Sequence, residues 1–274
     1  MRGLFGFGRL ALCLASAGVL LVGQPARADD GYRLLALDGR NAVRWRMPAQ
    51  GVPAKITYAF LTAPASFAGA RNCGDMLPPG AALGPSKIPH EDFRREVRAA
   101  FTVWEQAANI VFEETPSVAE AGILIGADAK PRGRAFTNVA LTASETRPAG
   151  RVGDIRQSLI CLNPHQPWKI GFDGNLDVYD LRFTMTHEIG HAIGLDHPGP
   201  EGQLMSFRYV EKSRDLQAGD VAGAAALYGR KGSAAGPQLE FGAALGTSKR
   251  AEGEMQNGAS RPNGTLGLSD ATQP

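Results

Sequence analysis

The residues from His187 to His197 carry the chemistry that this sequence can perform. They read H-E-I-G-H-A-I-G-L-D-H, and the first two histidines lie four residues apart. If this segment is a helix, four residues rotate the chain by about 400° and advance it by about 6 Å, so both imidazoles lie on one face. Two neutral imidazoles in that arrangement can bind a zinc ion.

Three further residues complete the pattern. Glu188 follows the first histidine, about 100° around the helix, where a carboxylate can reach a metal-bound water without binding the metal. Gly194 lies three residues after His191, and a positive φ there lets the chain leave the helix and bring His197 in as a third ligand. Three protein ligands leave one coordination position open, which is typical of a catalytic zinc site.

The motif is compatible with two alternatives to a catalytic site. A bare H-E-x-x-H also occurs as two surface histidines on a helix, but Gly194 and His197 at their fixed offsets favour the zinc site. A secreted binding module that uses zinc only for stability is the competing functional hypothesis. Glu188 argues against it, because a purely structural site does not need a carboxylate beside an open position and usually has a fourth protein ligand.

The first 28 residues predict a secretory signal peptide. Arg2 and Arg9 precede an apolar run over residues 10–22, and Ala26-Arg27-Ala28 is a small-residue site, so we expect cleavage after Ala28. A membrane anchor is disfavoured because the apolar run is short for a span. Cleavage removes three arginines and no acidic residue, so the formal charge falls by three from +2 to −1. Nothing in this composition indicates nucleic-acid binding.

Export sets the expected location of the protein. We expect a soluble protein, extracellular or periplasmic, with no membrane contact after signal cleavage. It should act as a monomer.

Hydrophobic periodicity predicts one mixed α/β domain over residues 29–230. Apolar residues at spacings of three and four indicate a helix from about 91 to 109. Asp180 is expected to cap the helix that carries the histidines, and a last helix should span 220–228. Short apolar runs predict strands at 55–60, 110–113, 122–126 and 154–163. A long loop is expected at 127–153. Residues 231–274, rich in Gly, Ala, Ser, Asn and Pro, are expected to form a disordered tail.

Cys73 and Cys161 are the cysteines that remain after cleavage. In an exported protein they most simply form one disulfide, which typically adds about 2–4 kcal/mol of stability. Two free thiols, or Cys73 as a thiolate ligand on the zinc, are the alternatives.

Residues 173–177 have some of the features of a calcium loop. Asp173, Asn175 and Asp177 place oxygen-bearing side chains at alternate positions, as in calcium loops. A plain turn is favoured, because no bidentate glutamate follows at the usual offset.

The eleven-residue histidine motif, with Met205 behind it, resembles that of the metzincin zinc peptidases. Residues 216–229, ending A-L-Y-G, are similar to the closing helix of the matrixin branch, the matrix-metalloproteinase-like family. The resemblance covers roughly residues 43–230. It implies an α/β (α+β) metzincin-like zincin catalytic domain, with a twisted mixed sheet and two long helices. The zinc helix would form the cleft floor, and a C-terminal helix would follow a Met-turn.

The resemblance also implies roles for two residues behind the motif. Met205 would be the Met-turn, an apolar base under the three histidines. Tyr209 matches the tyrosine in the wall of the main specificity pocket of that family. Phe207 stands where the family often has proline, which leaves the pocket shape open.

The sequence departs from the family pattern in two ways. No H-x-D pattern occurs between residues 127 and 165, so the second, structural zinc of the animal members is not expected; His165 alone is a weak candidate. No propeptide is recognisable either, since the residues around Cys73 (R-N-C-G-D) do not match the family's cysteine switch.

The expected reaction is zinc-assisted hydrolysis of an amide bond in a peptide or protein substrate, the partner that the resemblance implies. Zinc on the three histidines would lower the pKa of its water toward about 7, and Glu188 would take the water proton and deliver it to the leaving nitrogen. The peptide is expected to lie along an exposed strand edge. The sequence does not identify that strand.

Overall fold

The computed structural model describes residues 31–37, 41–143 and 152–234, together with the backbone of 265–267. The signal peptide predicted at 1–28 and most of the tail predicted at 231–274 lie outside these residues. Within the described ranges, no helix is both long and apolar enough to cross a bilayer.

The described residues form four α-helices and thirteen β-strands. The helices are α1 (Gly80–Leu83), α2 (His90–Ala107), α3 (Leu181–Ala192) and α4 (Ala218–Tyr228). The strands are β1 (Arg33–Leu34), β2 (Val43–Arg44), β3 (Ala54–Phe60), β4 (Ala65–Ser66), β5 (Asp75–Leu77), β6 (Ile110–Glu114), β7 (Ile123–Asp128), β8 (Ala135–Leu141), β9 (Gly153–Leu162), β10 (Trp168–Lys169), β11 (Tyr179–Asp180), β12 (Leu195–Asp196) and β13 (Thr265–Gly267).

A nine-stranded mixed sheet carries the fold, and its main path runs β13-β8-β9-β7-β3-β6. Strands β9, β7, β3 and β6 are parallel neighbours, whereas β8 is antiparallel to β9. Strand β2 pairs with β9 in parallel, and β5 pairs with β7 in the antiparallel direction. Two long helices, α2 and α3, accompany this sheet. The mixed α/β architecture predicted from the sequence is therefore confirmed.

Helix α2 packs on the sheet through the apolar stripe that its sequence predicts. The ring of Phe101 stacks on that of Tyr58 in β3, with centroids 4.2 Å apart. On the same helix, the Nε1 of Trp104 donates to the carbonyl oxygen of Thr186 in α3 at 2.9 Å. Helix α2 thus links the sheet to the helix that carries the histidines.

The loop predicted at 127–153 is wrong for Ala135–Leu141, which form β8 and pair with β9 throughout. The sequence of β8, A-F-T-N-V-A-L, lacks a clear alternation of polar and apolar residues because both faces are covered. Phe136 packs into the apolar cluster around Cys73 and Cys161, and Val139 packs into the main core. Residues 144–151 of the same stretch lie outside the described residues.

Cys73 and Cys161 form the predicted disulfide. Both are fully buried, and they join the segment before β5 to β9 across 88 residues of chain. The entropy of closing a loop of that size corresponds to about 4–5 kcal/mol. Because the sulfur of Cys73 is bonded to Cys161, the alternative in which Cys73 binds zinc as a thiolate is excluded.

A short strand from the tail extends the sheet beyond β8. Strand β13 is antiparallel to β8, with Leu266 opposite Thr137 in the register. Thr265–Gly267 lie within the segment predicted as a disordered tail, and their backbone forms this strand. The outer edge of β8 accepts an extended segment of chain.

Candidate metal centre

Helix α3 begins at the cap that the sequence predicts. The Oδ1 of Asp180 accepts from the backbone N of Phe183 at 2.9 Å. Its Oδ2 accepts from the backbone N of Gly171 at 2.7 Å and from Arg214 at 2.5 Å. Asp180 is fully buried, and α3 is buried over almost its whole length. The helix is thus a fixed base for the side chains it presents.

Helix α3 ends where Gly194 adopts a φ of +106°. A Cβ at this position would lie 2.1 Å from the carbonyl oxygen of Val43, so the turn needs glycine for its space as well as for its φ. The chain then reverses through β12 and brings His197 back to the helix. The Oδ1 of Asp196 accepts from the backbone N of His197 at 2.7 Å, and Arg33 binds the other oxygen at 3.1 Å.

The three imidazoles converge through their Nε2 atoms. The Nε2 of His187 lies 3.0 Å from that of His191 and 3.0 Å from that of His197. The third side of the triangle, between His191 and His197, measures 3.1 Å. A zinc ion that binds three nitrogens tetrahedrally at about 2.0–2.1 Å holds them about 3.3 Å apart. Among the described residues, this is the sole group of three side chains that could hold a metal ion.

Backbone carbonyls orient the two helical imidazoles. The Nδ1 of His187 lies 2.9 Å from the oxygen of Leu204, and the Nδ1 of His191 lies 2.8 Å from the oxygen of Leu195. A carbonyl only accepts, so each Nδ1 carries the hydrogen and each Nε2 presents its lone pair.

The environment also keeps these imidazoles neutral. Burial lowers the pKa of His187 well below its usual value, that of His191 to about 4 and that of His197 to about 3. Neutral imidazole is the form that binds metal. The donor set, its spacing and its tautomers therefore fit zinc.

Glu188 lies fully buried between α3 and β8. The hydroxyl of Thr137 lies 2.7 Å from Oε2, whereas Oε1 has no hydrogen-bond partner within the described part of the chain. Burial raises the pKa of this carboxyl to about 8, and the hydrogen bond from Thr137 acts in the opposite direction. A buried polar atom without a hydrogen-bond partner is destabilising, so Oε1 is available to bind a further hydrogen-bond donor.

Met205 packs against α3 at Gly190. A Cβ on Gly190 would lie 2.2 Å from the sulfur of Met205 and 2.8 Å from the ring of Trp104, so glycine is what allows this close approach. Asp220 of α4 fixes the turn, because its carboxylate accepts from the backbone N of Met205 at 3.0 Å and from that of Leu204 at 2.8 Å. An apolar side chain thus lies against the histidine helix.

Tyr209 packs on the start of α3, where its ring meets that of Phe183 edge-on at 5.1 Å. Its hydroxyl accepts from the backbone N of Asp180 at 2.9 Å and donates to Glu211 at 2.8 Å. The ring of Phe207 lies 6.2 Å from that of His197. A cavity of about 100 Å³ lies beside Phe183, and its lining includes Leu204 and Val210.

The loop with the calcium-like spacing is satisfied internally. Asp173 accepts from the backbone N of Asn175 at 3.0 Å, and Asn175 accepts from that of Asp177 at 3.1 Å. The ammonium of Lys169 binds Asp173 and the carbonyl oxygen of Asn175. These contacts are those of a turn, and nothing in them supports calcium.

The site includes two residues that sequence reasoning did not identify, Thr137 and Asp220. Thr137 lies in β8, which the sequence predicts as loop, so its sequence context carries no signal for the site. Asp220 is the third residue of α4, and its carboxylate also accepts from the backbone N of Gln217 at 2.8 Å in a capping box. That position was the available clue to a carboxylate that binds backbone N–H groups.

The sequence around this site matches a known protein family. The family model described as Matrixin matches residues 82–229, which is more than half of the 274-residue chain and includes all three histidines.

The chain also matches individual relatives, but only over part of their length. Metalloendoproteinase 1-MMP of Arabidopsis thaliana is 32% identical over 149 residues, or 52% of this chain and 39% of that protein. Metalloendoproteinase 4-MMP of the same plant is 29% identical over 209 residues, or 73% of this chain and 51% of that protein. Matrix metalloproteinase-16 of Mus musculus is 28% identical over 155 residues, or 52% of this chain and 25% of that protein. The chain therefore spans between a quarter and about half of these relatives.

Proposed function

The chain belongs to the matrixin family, and from that premise we propose that it is a zinc-dependent endopeptidase. The observation that carries the proposal is the triangle of Nε2 atoms on His187, His191 and His197, with the buried carboxyl of Glu188 next along the helix. The three imidazoles would hold one catalytic zinc and leave a coordination position open. Met205 would be the apolar base of this site, since it packs against the histidine helix at Gly190.

The protein's own residues would supply the proton transfer. When bound, zinc would act as a Lewis acid that polarises the scissile carbonyl and acidifies a water molecule. In its ionised form, Glu188 would accept the water proton at Oε1, its oxygen without a partner among the described residues, and deliver it to the leaving nitrogen. Because Glu188 is buried, bulk water would not compete for this proton.

Strand β8 is the edge along which we place the substrate. It lies beside α3, because Thr137 of β8 contacts Glu188 directly. Its other side pairs with an extended segment, β13, in the antiparallel direction. Backbone hydrogen bonds along such an edge hold a peptide, while pockets read alternate side chains. We assign the cavity beside Phe183 as a specificity pocket, because its lining includes Leu204, whose carbonyl oxygen contacts His187; Tyr209 lies behind its wall.

We infer the setting of the enzyme from the predicted leader and from the two cysteines of the mature chain. We propose that residues 1–28 direct export, with cleavage after Ala28, to the periplasm or the extracellular medium. The buried disulfide supports this, because such bonds persist in oxidising compartments. The mature domain, residues 29–230, would act as a monomer on peptide or protein substrates.

Metal removal tests the proposed function directly. Treating the purified full-length protein with a zinc chelator should reduce hydrolysis of a casein-like substrate to background, and stoichiometric zinc should restore it. Turnover and zinc content, the latter by elemental analysis, are measured on the same samples. A protein that binds zinc and is folded but cleaves nothing in a broad peptide library would contradict the proposal, and would instead support a silent zinc-stabilised binding module.

Removal of the tail tests the assignment of the substrate edge. A variant that ends after Ala234 lacks β13, so the edge of β8 should be free and KM for a peptide substrate should fall while kcat stays unchanged. A synthetic peptide with the sequence of residues 261–270 should inhibit the truncated enzyme competitively, and a scrambled peptide is the control. Equal KM values for both proteins, without inhibition by the peptide, would show that substrate does not use this edge.

A further inference from the structure

Thr137 makes a contact that the reaction outlined above does not require. This residue of β8 is buried, with 1% of its surface exposed. Its hydroxyl lies 2.7 Å from Oε2 of Glu188 and 3.0 Å from the backbone oxygen of the same residue. A single strand hydroxyl thus lies within hydrogen-bond distance of two oxygens of one helical residue.

We propose that Thr137 is a positioning residue for Glu188: its hydroxyl holds Oε2 and leaves Oε1 as the oxygen that reacts. The geometry of this proposal is the contact between β8 and α3. Its effect on catalysis rests on the proposed endopeptidase function.

The pleat of β8 makes this contact specific to one side chain. Side chains alternate between the two faces of a strand. Phe136 packs into the cluster around the disulfide, and Asn138 accepts from the backbone N of Arg71 at 3.1 Å, so both neighbours point away from α3. The residues two positions away, Ala135 and Val139, share the face of Thr137 but carry no hydroxyl. No other side chain of β8 can replace this one.

The chemistry of the hydroxyl suits the task. An ionised carboxylate only accepts hydrogen bonds, so the hydroxyl of Thr137 donates its single hydrogen to Oε2. In the described residues, no other hydrogen bond reaches the carboxyl of Glu188. The terminal torsion of a glutamate side chain has broad energy wells, so without this contact the carboxyl would be free to turn. Loss of such a supporting hydrogen bond typically costs about 10–100-fold in activity.

A second strand hydroxyl provides a matched control. Ser158 of β9 donates to the carbonyl oxygen of Ala192, the last residue of α3, at 3.1 Å. It is a fully buried tether between sheet and helix, like Thr137, but it does not touch the glutamate. Comparison of the two separates positioning of the carboxyl from anchoring of the helix.

The test uses three variants of the full chain loaded with zinc. Thr137→Val keeps the side-chain shape and removes the hydroxyl, so kcat should fall about 10–100-fold while KM and zinc content stay unchanged. Thr137→Ser keeps the hydroxyl and should remain within about threefold of the wild type, given that the bond itself is preserved. Ser158→Ala should lower the unfolding temperature without changing kcat.

A second measurement is independent of turnover. In metal-free protein, Thr137→Val should lower the urea midpoint of unfolding when Glu188 is present, and should lower it less in a Glu188→Ala background. An unchanged kcat in Thr137→Val, or an equal loss in Thr137→Ser or Ser158→Ala, would overturn the proposal. If the wild type itself cleaves nothing, the proposed function fails, and additivity or coupling in this cycle still decides whether the hydroxyl holds the carboxyl.

Discussion

Replacing Glu188 with glutamine should abolish peptide hydrolysis while zinc remains bound. The amide has the shape of the carboxyl and can still bond to Thr137, but it cannot accept the water proton. Loss of a general base typically lowers kcat by about 10²–10⁴-fold. Zinc should stay bound because the atoms that would hold it are the Nε2 atoms of the three histidines, and Glu188 is not a ligand.

The measurement pairs turnover of a fluorogenic peptide with zinc content for each preparation. Glu91→Gln is the matched control, because Glu91 is an exposed carboxylate in the first turn of α2, outside the histidine helix. Glu188→Ala should behave like Glu188→Gln, since both remove the base. Substantial residual turnover in either variant would refute the assignment of Glu188 as the base.

The parts of the site that the sequence predicted depend on local geometry. Helical spacing alone puts His187 and His191 on one face. The exit of the chain at Gly194 follows from its φ of +106°, a conformation that glycine adopts readily. The cap at Asp180 likewise involves a backbone N only three residues along the chain, that of Phe183. Each of these features depends on residues that are close in sequence, so each can be predicted from the local sequence pattern.

The parts that the sequence did not predict depend on contacts between distant segments. Strand β8 has both faces covered, so its residues show neither the alternation of a half-exposed strand nor a long apolar run. Thr137 and Glu188 are 51 residues apart, and their contact exists only once β8 lies beside α3. Asp220 acts on the turn at Met205 through a contact over 15 residues. A single sequence does not encode such pairings in any local pattern.

Replacing His197 with alanine should remove zinc binding and activity together while the fold persists. His187 and His191 are fully buried in α3, so their loss would also leave cavities, whereas His197 lies after the helix and is partly exposed. Two ligand nitrogens would remain. Loss of a supporting hydrogen bond lowers zinc affinity by about 10–100-fold, and loss of a ligand should lower it further.

Zinc affinity of His197→Ala is measured by competition with a chromogenic chelator, and kcat/KM is measured on the same preparation. Because burial keeps the three imidazoles neutral near pH 7, the wild type needs no proton release from them to bind zinc, and the comparison reports loss of a ligand alone. His165→Ala, at an exposed histidine outside the triangle, should change neither quantity. Undiminished zinc in His197→Ala would mean that the triangle of Nε2 atoms is not the metal site, and the proposed function would lose the observation that carries it.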